Sequence, residues 1–456
     1  MRDVVVCLPG IVGSVLKKDG RDVWNISGGA LISALTTLGE SITDLTLEQD
    51  PPDQEDLGDG ITAPEVIRDV HLIPGFWKID GYTKMLRYIE ETFDVTRGRN
   101  LFEFPYDWRR DNRVAAGRLQ RQSRTWLNEW RESSGATDAK LVLVGHSMGG
   151  LISRYFLECL DGWRDTRTLV TFGTPYRGSL NALDVLANGL KIKFFDLTEV
   201  ARSFTAIYQL LPTYPCYDGG NGDLAYVDES DIPNLDEEKT KVALDFHREI
   251  RAAVETHLDD QAYVDGRYGL GRIVGIKQPT QQSARRDGNR LELLRTIGGD
   301  DPGGDGTVPR PSATPVEYED DHGAAFSAER HASLQNDDHV LLQLTGVLTG
   351  NSINWSQFKD AVPMIDVALD VDDLHSPSEA VLVRARPDRE PSDRLIAIAV
   401  DVETGEERAR QALSPRDDGW HEGELGPLRE GVYRVTAFGS GTVEPVTELV
   451  TVLADQ

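Results

Sequence analysis

The sequence predicts an α/β protein: a mostly parallel sheet covered by helices, with an inserted helical cap and a small all-β module behind it. Three observations predict it. Strand-like and helix-like segments alternate from Met1 to about Gly178, as a parallel sheet with crossover helices requires. Residues from about 179 to 268 break that alternation. After Asn351 the chain turns to short apolar runs, such as "MIDVALDV", "AVLVRARP", "LIAIAVDVETG", "GVYRVTAFG" and "ELVTVLA", separated by Gly, Pro, Asp and Ser. Regular short strands with turns point to an antiparallel sandwich.

Taken in order, Val4-Val5-Val6-Cys7-Leu8 reads as a buried strand and runs at once into Pro9-Gly10-Ile11-Val12-Gly13. "HLIPGFWKIDGY" repeats the Pro-Gly theme, as an ordinary turn ahead of a helix expected over 82–93. Leu119, Trp126 and Trp130 mark one side of an amphipathic helix that includes "SRTWLNEW". The run Leu141-Val142-Leu143-Val144 then meets "GHSMGG" and a helical pattern with apolar residues at Leu151, Tyr155 and Cys159. "TLVTFGTPYRGS" is a further strand ending in a Gly/Pro loop, and "GRIVGIKQPTQQS" a late strand. Between them, Leu197, Val200, Phe204, Ile207, Tyr208 and Leu211 follow helical spacing, with Phe194-Phe195 leading in. The expected organisation is a main unit over 1–358, with its cap over 179–268, and a β-sandwich-like unit over 359–456, the boundary falling near Lys359.

The segment around Ser147 carries the chemistry. Gly145-His146-Ser147-Met148-Gly149 fits G-x-S-x-G, a sharp strand-to-helix turn that exposes a serine oxygen. Side chains at Gly145 and Gly149 would crowd that turn. The alternative is a glycine-rich turn that merely packs a strand on a helix; the strand before it and the helix after it favour a nucleophile. A serine needs a base, an acid that orients the base, and donors for the developing oxyanion. The turn motif carries an order, acid and then histidine downstream of the serine. Asp300, Asp301 and Asp305 compete in "GGDDPGGDGTVPRPSA", and each alone also reads as a turn residue. His331 falls in a loop after a short strand, whereas His339 lies within the helical pattern Val340, Leu341, Leu344, Val347 and receives no role. The candidate oxyanion donors are the N–H of Met148, next after the serine, and that of Ile11, in the loop after the opening strand.

The segments "LPGIVGS", "PGFWK", "FPYDWR", "GHSMGG", "GTPYRGS", "GDGTVP" and "HASL" run in that order from residue 8 to residue 334. On these segments the chain resembles the lecithin:cholesterol acyltransferase family of α/β-hydrolases, which includes phospholipases, transacylases and bacterial lipases. "PYDWR" together with "GDGTVP" is far more specific than the serine motif alone. The resemblance implies Ser147 as nucleophile, Asp305 as acid, His331 as base and Ile11 as first oxyanion donor. It implies a lipid-ester hydrolase or acyltransferase; the triad chemistry needs no metal or organic cofactor, and the apolar stripe within 179–268 reads as a cap whose face would line an acyl-chain tunnel. The alternatives are a thioesterase or another non-lipid serine esterase, which share the triad, or a catalytically decayed interaction protein on the same fold.

Composition sets the surroundings. The net charge of −28 repels nucleic acid and anionic bilayers. No apolar run approaches the roughly 20 residues of a membrane-spanning helix. The chain enters a strand directly, so no signal peptide is expected, and Cys7, Cys159 and Cys216 are expected to be free thiols in the cytoplasm. "CYDGGNGDLAYVDESD" does not have the spacing of a calcium loop. The β module holds no Ser–His–acid set, so binding or scaffolding is its expected role, with a protein partner as its candidate ligand. Every triad candidate precedes Lys359, so a chain cut there is expected to keep its activity.

Overall fold

A parallel sheet covered on both faces needs strands without a polar side, and the opening strand and the one before Ser147 are of that kind. The structure, a computed structural model, describes residues 1–25, 43–73, 77–193, 195–318, 323–349, 364–391 and 394–454. Strands β1 (Val4–Leu8), β2 (Leu101–Glu103), β3 (Leu141–His146), β4 (Thr166–Phe172), β5 (Gly269–Gly275) and β6 (Ala324–Ser327) form one sheet. Their order is β2-β1-β3-β4-β5-β6 and every pairing is parallel. All residues of β1 and β3 are buried.

Helices α1 (Thr83–Phe93), α2 (Asn112–Ser134) and α3 (Met148–Cys159) belong to this layer system. Asp111 caps α2 by accepting the Arg113 N–H, and Gly135 closes it at φ 74°. On α2 the ring of Trp126 stacks on Phe102 at 4.3 Å. The stripe expected on α3 is shifted. Ile152, Phe156 and Leu157 are buried with Leu151, while Tyr155 and Cys159 are only half-buried. The reason is that α3 is covered from two sides, by the sheet and by the later helix α5 (Glu237–Leu258), whose Phe246 stacks on Tyr155 at 5.2 Å.

The insertion lies between the adjacent strands β4 and β5 and contains α4 (Leu180–Asn188) as well as α5. The continuous helix suggested by residues 197–211 is instead two short ones, Thr198–Ser203 and Thr205–Tyr208. Phe204 between them is extended, with φ −79° and ψ 112°, and its ring meets Trp108 edge-on at 5.6 Å. Leu197, Ile207, Tyr208 and Leu211 are buried; Phe194 lies outside the described residues, as do residues 74–76 of the "PGFWK" segment. After β6 the chain forms α6 (Asp338–Thr349).

The C-terminal part contains β7 (Val367–Asp370), β8 (Leu374–His375), β9 (Val381–Pro387), β10 (Ile396–Asp401), β11 (Glu407–Ala412), β12 (Ser414–Pro415), β13 (His421–Leu425), β14 (Gly431–Phe438) and β15 (Val446–Val452). They make two sheets, β7-β9-β13-β12 and β8-β15-β14-β10-β11. The pairings are antiparallel except that of β8 with β15. Val367, Val383, Ala399, Val435 and Val450 belong to its core. Polar β11, "ERARQA", gives no apolar signal in sequence because it is an edge strand, where charge guards an open ladder.

This module does not stand apart. Val432, Leu449 and Leu453 are buried within the hydrophobic core of the main unit. Gln278 bonds to the module backbone from both ends of its amide, Nε2 donating to Val367 O at 2.9 Å and Oε1 accepting Leu369 N–H at 2.9 Å. Lys277 pairs with Asp366 and Asp388, and Arg434 with Asp80. The expected boundary near Lys359 lies outside the described residues. Among the described residues no helix is long and apolar enough to cross a membrane.

Candidate active site

Ser147 sits between the end of β3 and the start of α3, at φ 52° and ψ −123°. A non-glycine residue at positive φ is strained and persists only where its surroundings hold it. Here the Ser147 N–H donates to Phe172 O at 2.8 Å, and its carbonyl accepts the Thr174 hydroxyl at 2.9 Å. The turn is tight because α3 packs directly on the first loop. A Cβ on Gly149 would lie 2.5 Å from Pro9 O and 2.6 Å from Leu8 O.

The structure brings Ser147, Asp305 and His331 together from three separate loops. His331 Nε2 lies 3.0 Å from Ser147 Oγ, and His331 Nδ1 lies 2.7 Å from Asp305 Oδ2. A carboxylate oxygen only accepts, so Nδ1–H donates to Asp305 and Nε2 is left to accept the serine proton. The other oxygen, Asp305 Oδ1, accepts Thr307 N–H at 3.0 Å and Val308 N–H at 2.7 Å. These bonds fix the carboxylate plane, and the His331 N–H donates to Asp305 O at 2.9 Å. The fit leaves no room at Gly173, φ +53°, where a Cβ would come within 2.7 Å of Asp305 Oδ2 and 2.9 Å of His331 Nδ1. All three residues are buried.

Met148 follows the serine directly, and Gly10, the neighbour of Ile11, packs on it, where a Cβ would lie 3.0 Å from Ser147 Cβ. Met148 is the first residue of α3, so its N–H has no intrahelical acceptor. Neither its N–H nor that of Ile11 has a protein acceptor among the described residues. The Gly10 N–H, by contrast, is occupied by Tyr82 Oη at 2.8 Å. The competing acids stay outside: Asp300 and Asp301 are exposed, and Asp301 caps a turn at Gly303 N–H. His339 is more than half exposed on α6, with Nε2 3.8 Å from Glu444 of the β module.

Sequence reasoning missed Tyr82 and His146. Tyr82 Oη accepts from Gly10, so its own proton goes to His146 Nδ1, 2.8 Å away. That assigns the proton of His146 to Nε2, which donates to His331 O at 3.2 Å. Burial, aided by the neighbouring His331, holds the His146 imidazole down at about 3, so it stays neutral. Burial likewise pushes the Tyr82 phenol up. A continuous chain of hydrogen bonds thus ties the loop of Ile11 to the loop of His331. His146 was visible inside the motif, but its partners are 64 and 185 residues away in sequence.

A cavity of about 310 Å³ opens against Asp305 and His331. Trp77, Thr307 and Arg330 line it from the main unit, and Asp372 and Glu448 from the β module. Among the described residues no group of three or more His, Cys, Asp or Glu could hold a metal ion. The cysteines are free, Cys7 and Cys216 being buried.

Comparison with known proteins points the same way. The family model described as lecithin:cholesterol acyltransferase matches residues 74–251. Lysosomal phospholipase A and acyltransferase of Homo sapiens is 36% identical over 125 residues, which is 26% of this chain and 29% of that protein. Its counterpart from Rattus norvegicus is 36% identical over 128 residues, with the same shares. The alignments thus span less than a third of these relatives. In three dimensions the chain is similar to a chain of the crystal structure of the Tle4–Tli4 complex. The TM-score is 0.52 at 16% identity, over 76% of this chain and 98% of that one. The matched family segment includes Ser147 but ends before Asp305 and His331, whose placement is a matter of geometry alone. Residues 74–251 are thus similar to the lecithin:cholesterol acyltransferase family, and the sheet with its helices has the α/β-hydrolase fold.

Proposed function

We propose that the chain is a serine hydrolase or acyltransferase of lipid esters, phospholipid or acylglycerol, working through an acyl-Ser147 intermediate. The observation that carries this reading is the relay of 3.0 Å from Ser147 Oγ to His331 Nε2 and 2.7 Å from Nδ1 to Asp305. Ser147 Oγ attacks the ester carbonyl while His331 Nε2 takes its proton. Asp305 holds the ring and its developing charge. The N–H groups of Ile11 and Met148 receive the oxyanion, each worth roughly 10²–10³ in kcat by analogy with other oxyanion donors. His331 then gives the proton to the departing alcohol. Water or a second alcohol, deprotonated by the same ring, takes the acyl group and frees Ser147.

Lipid as the substrate class is supported by the family match and by the relatives named phospholipase A and acyltransferase. The segment 179–268 is taken as a cap, and its buried Leu197, Phe204, Ile207 and Leu211 are the apolar surface it would offer a chain. The test is labelling with a fluorophosphonate, followed by incubation with phospholipid vesicles with and without an added long-chain alcohol. Mass spectrometry of the products is expected to show free fatty acid, and an alkyl ester when alcohol is present. A wild-type protein that is neither labelled nor active, or a Ser147→Ala variant labelled like the wild type, defeats the reading.

A further inference from the structure

The histidine of the relay sits on a loop that the C-terminal module holds. From the end of β6 the chain runs through Ala328, Glu329 and Arg330 to His331. Strand β15 lies alongside this stretch. The Thr447 N–H donates to Glu329 Oε1 at 3.0 Å, and the same oxygen accepts the Arg330 N–H at 2.7 Å. The Arg330 guanidinium pairs with Glu448 Oε2 and also donates to Leu369 O at 3.2 Å. Glu448 Oε1 accepts Lys78 Nζ at 2.8 Å and its own neighbour's N–H, that of Leu449, at 2.9 Å. Lys78 is held in turn by Asp373 of the module at 2.5 Å. The Glu448 side chain is 2% exposed. Burial works to raise its carboxyl, but Arg330 and Lys78 more than offset this and keep it low, hence charged.

Arg330 touches both halves of the relay. It directly precedes His331 in sequence, and its guanidinium rests on Gly306, next to Asp305, where a Cβ would come within 2.7 Å of Cζ. One buried carboxylate of the β module therefore anchors a cation wedged between the turn of the acid and the loop of the base. Among the described residues Ser147 has no comparable tie to the module.

We propose that Glu448 is a positioning residue for the reaction: acting through Arg330, it sets His331 at hydrogen-bond distance from Ser147, so the β module completes the active site. The inference rests on the serine-hydrolase reading above. Without the carboxylate, Arg330 is a buried cation lacking its counter-charge, and a buried charge left unpaired drives rearrangement. Its outlet is toward water through the cavity beside His331. A shift of about 1 Å in a reacting group is enough for a hundredfold loss. The chain cut near Lys359 is accordingly expected to lose activity, because its base loop loses Thr447, Glu448 and Leu369.

The test uses the full-length protein with p-nitrophenyl butyrate for kcat and KM, a fluorophosphonate for the rate of Ser147 modification, and thermal unfolding for stability. Glu448→Gln keeps the volume and removes the charge. It is expected to lower kcat and the modification rate about 10- to 100-fold with KM within about twofold. Arg330→Lys, which keeps the charge but loses the planar fork, is expected to lose in the same two readouts. The pair Glu448→Gln/Arg330→Lys should lose no more than the worse single variant, since residues acting as a unit are not additive. Lys277→Gln breaks a different contact with the module, and should lower Tm without slowing modification of Ser147. The proposal is overturned if folded Glu448→Gln, or folded Arg330→Lys should the first not fold, modifies Ser147 at the wild-type rate. It is equally overturned if Lys277→Gln slows modification as much as they do. An unlabelled wild type would instead defeat the serine-hydrolase reading itself.

Discussion

The turn that carries Ser147 and the loop that carries His331 meet within 3.0 Å, yet they are built in opposite ways. The serine turn is local. β3 and α3 flank it directly, Gly149 lets α3 approach the first loop, and the backbone of Ser147 is held by Phe172 and Thr174 of the neighbouring strand and its loop. The histidine loop has no regular element after it until Leu334. Its shape depends on Asp305 in one direction and on β15, more than a hundred residues later, in the other. Strain at Ser147 is thus held by the neighbouring strand and loop, whereas the loop of His331 is contacted by a second module. A local turn can be recognised in ten consecutive residues; a tertiary clamp cannot.

The largest effect that separates the two regions is on the base itself. His331→Ala is expected to lower kcat/KM on p-nitrophenyl butyrate by roughly 10⁴-fold or more, while His339→Ala stays within about twofold. Steady-state assays of folded variants check this, and the reverse ranking would place the base elsewhere.

Tyr82→Phe cuts the hydrogen-bond chain between the Gly10 loop and the serine turn, while the bond from His146 Nε2 to His331 O has no part in the change. It removes the proton donated to His146 Nδ1 and the acceptor of the Gly10 N–H. Leaving buried polar groups unsatisfied typically costs about 1–3 kcal/mol. The expected result is a fall in kcat of about tenfold with a lower Tm. Unchanged kcat would mean that the Gly10 loop keeps its place unaided.

The pH dependence of stability is opposite in the two regions. His146, beside the serine, is held at about 3 by burial against an ordinary 6.5, so between these values only the unfolded chain binds the proton. Its effect is that stability falls as pH drops below about 6.5, and buried His247, held at about 4, adds to it. Glu329, beside the base, is pushed up to about 8 by burial against an ordinary 4.5, so there the folded chain keeps the proton. That stability is full below about 4.5 and is lost as pH rises through about 8. Between about 4.5 and 6.5 the two histidines outweigh the one glutamate, so the maximum is expected near 6.5, with slopes of at most about 1.4 kcal/mol per pH unit from each group. Denaturant midpoints across pH 4–9 check it: Glu329→Gln should flatten the alkaline side and steepen the fall between about 6.5 and 4.5, where its opposing contribution is removed.

The smallest effect belongs to the outer contact between the units. Lys277 is one-third exposed, so Lys277→Gln should reduce stability by about 1 kcal/mol or less, read as a small fall in Tm.

The elements that carry the chemistry were legible where their physics is local. Val4–Leu8 and Leu141–His146 read as buried strands because they lack a polar face, and the serine turn showed itself by the small residues its packing demands. The helix suggested by residues 197–211 was misread because period alone cannot show that Phe204 turns out of the helix to reach Trp108. Likewise β11 was invisible because an edge strand carries charge where a core strand carries Val.

The sequence by itself determined the strand–turn–helix around Ser147, the alternation that makes the sheet parallel, and the set of acids and histidines from which a relay could be chosen. Family likeness narrowed that set. Only the tertiary structure decided that Asp305 and His331 reach Ser147, that Tyr82 and His146 join their loops, and that Glu448 pairs with Arg330, the residue before His331. The physical reason is separation. Periodicity and steric demand act between residues a few positions apart and leave their mark in composition, whereas a hydrogen bond or ion pair across 118 residues, such as Glu329 to Thr447, places no constraint on the intervening sequence that its pattern could reveal.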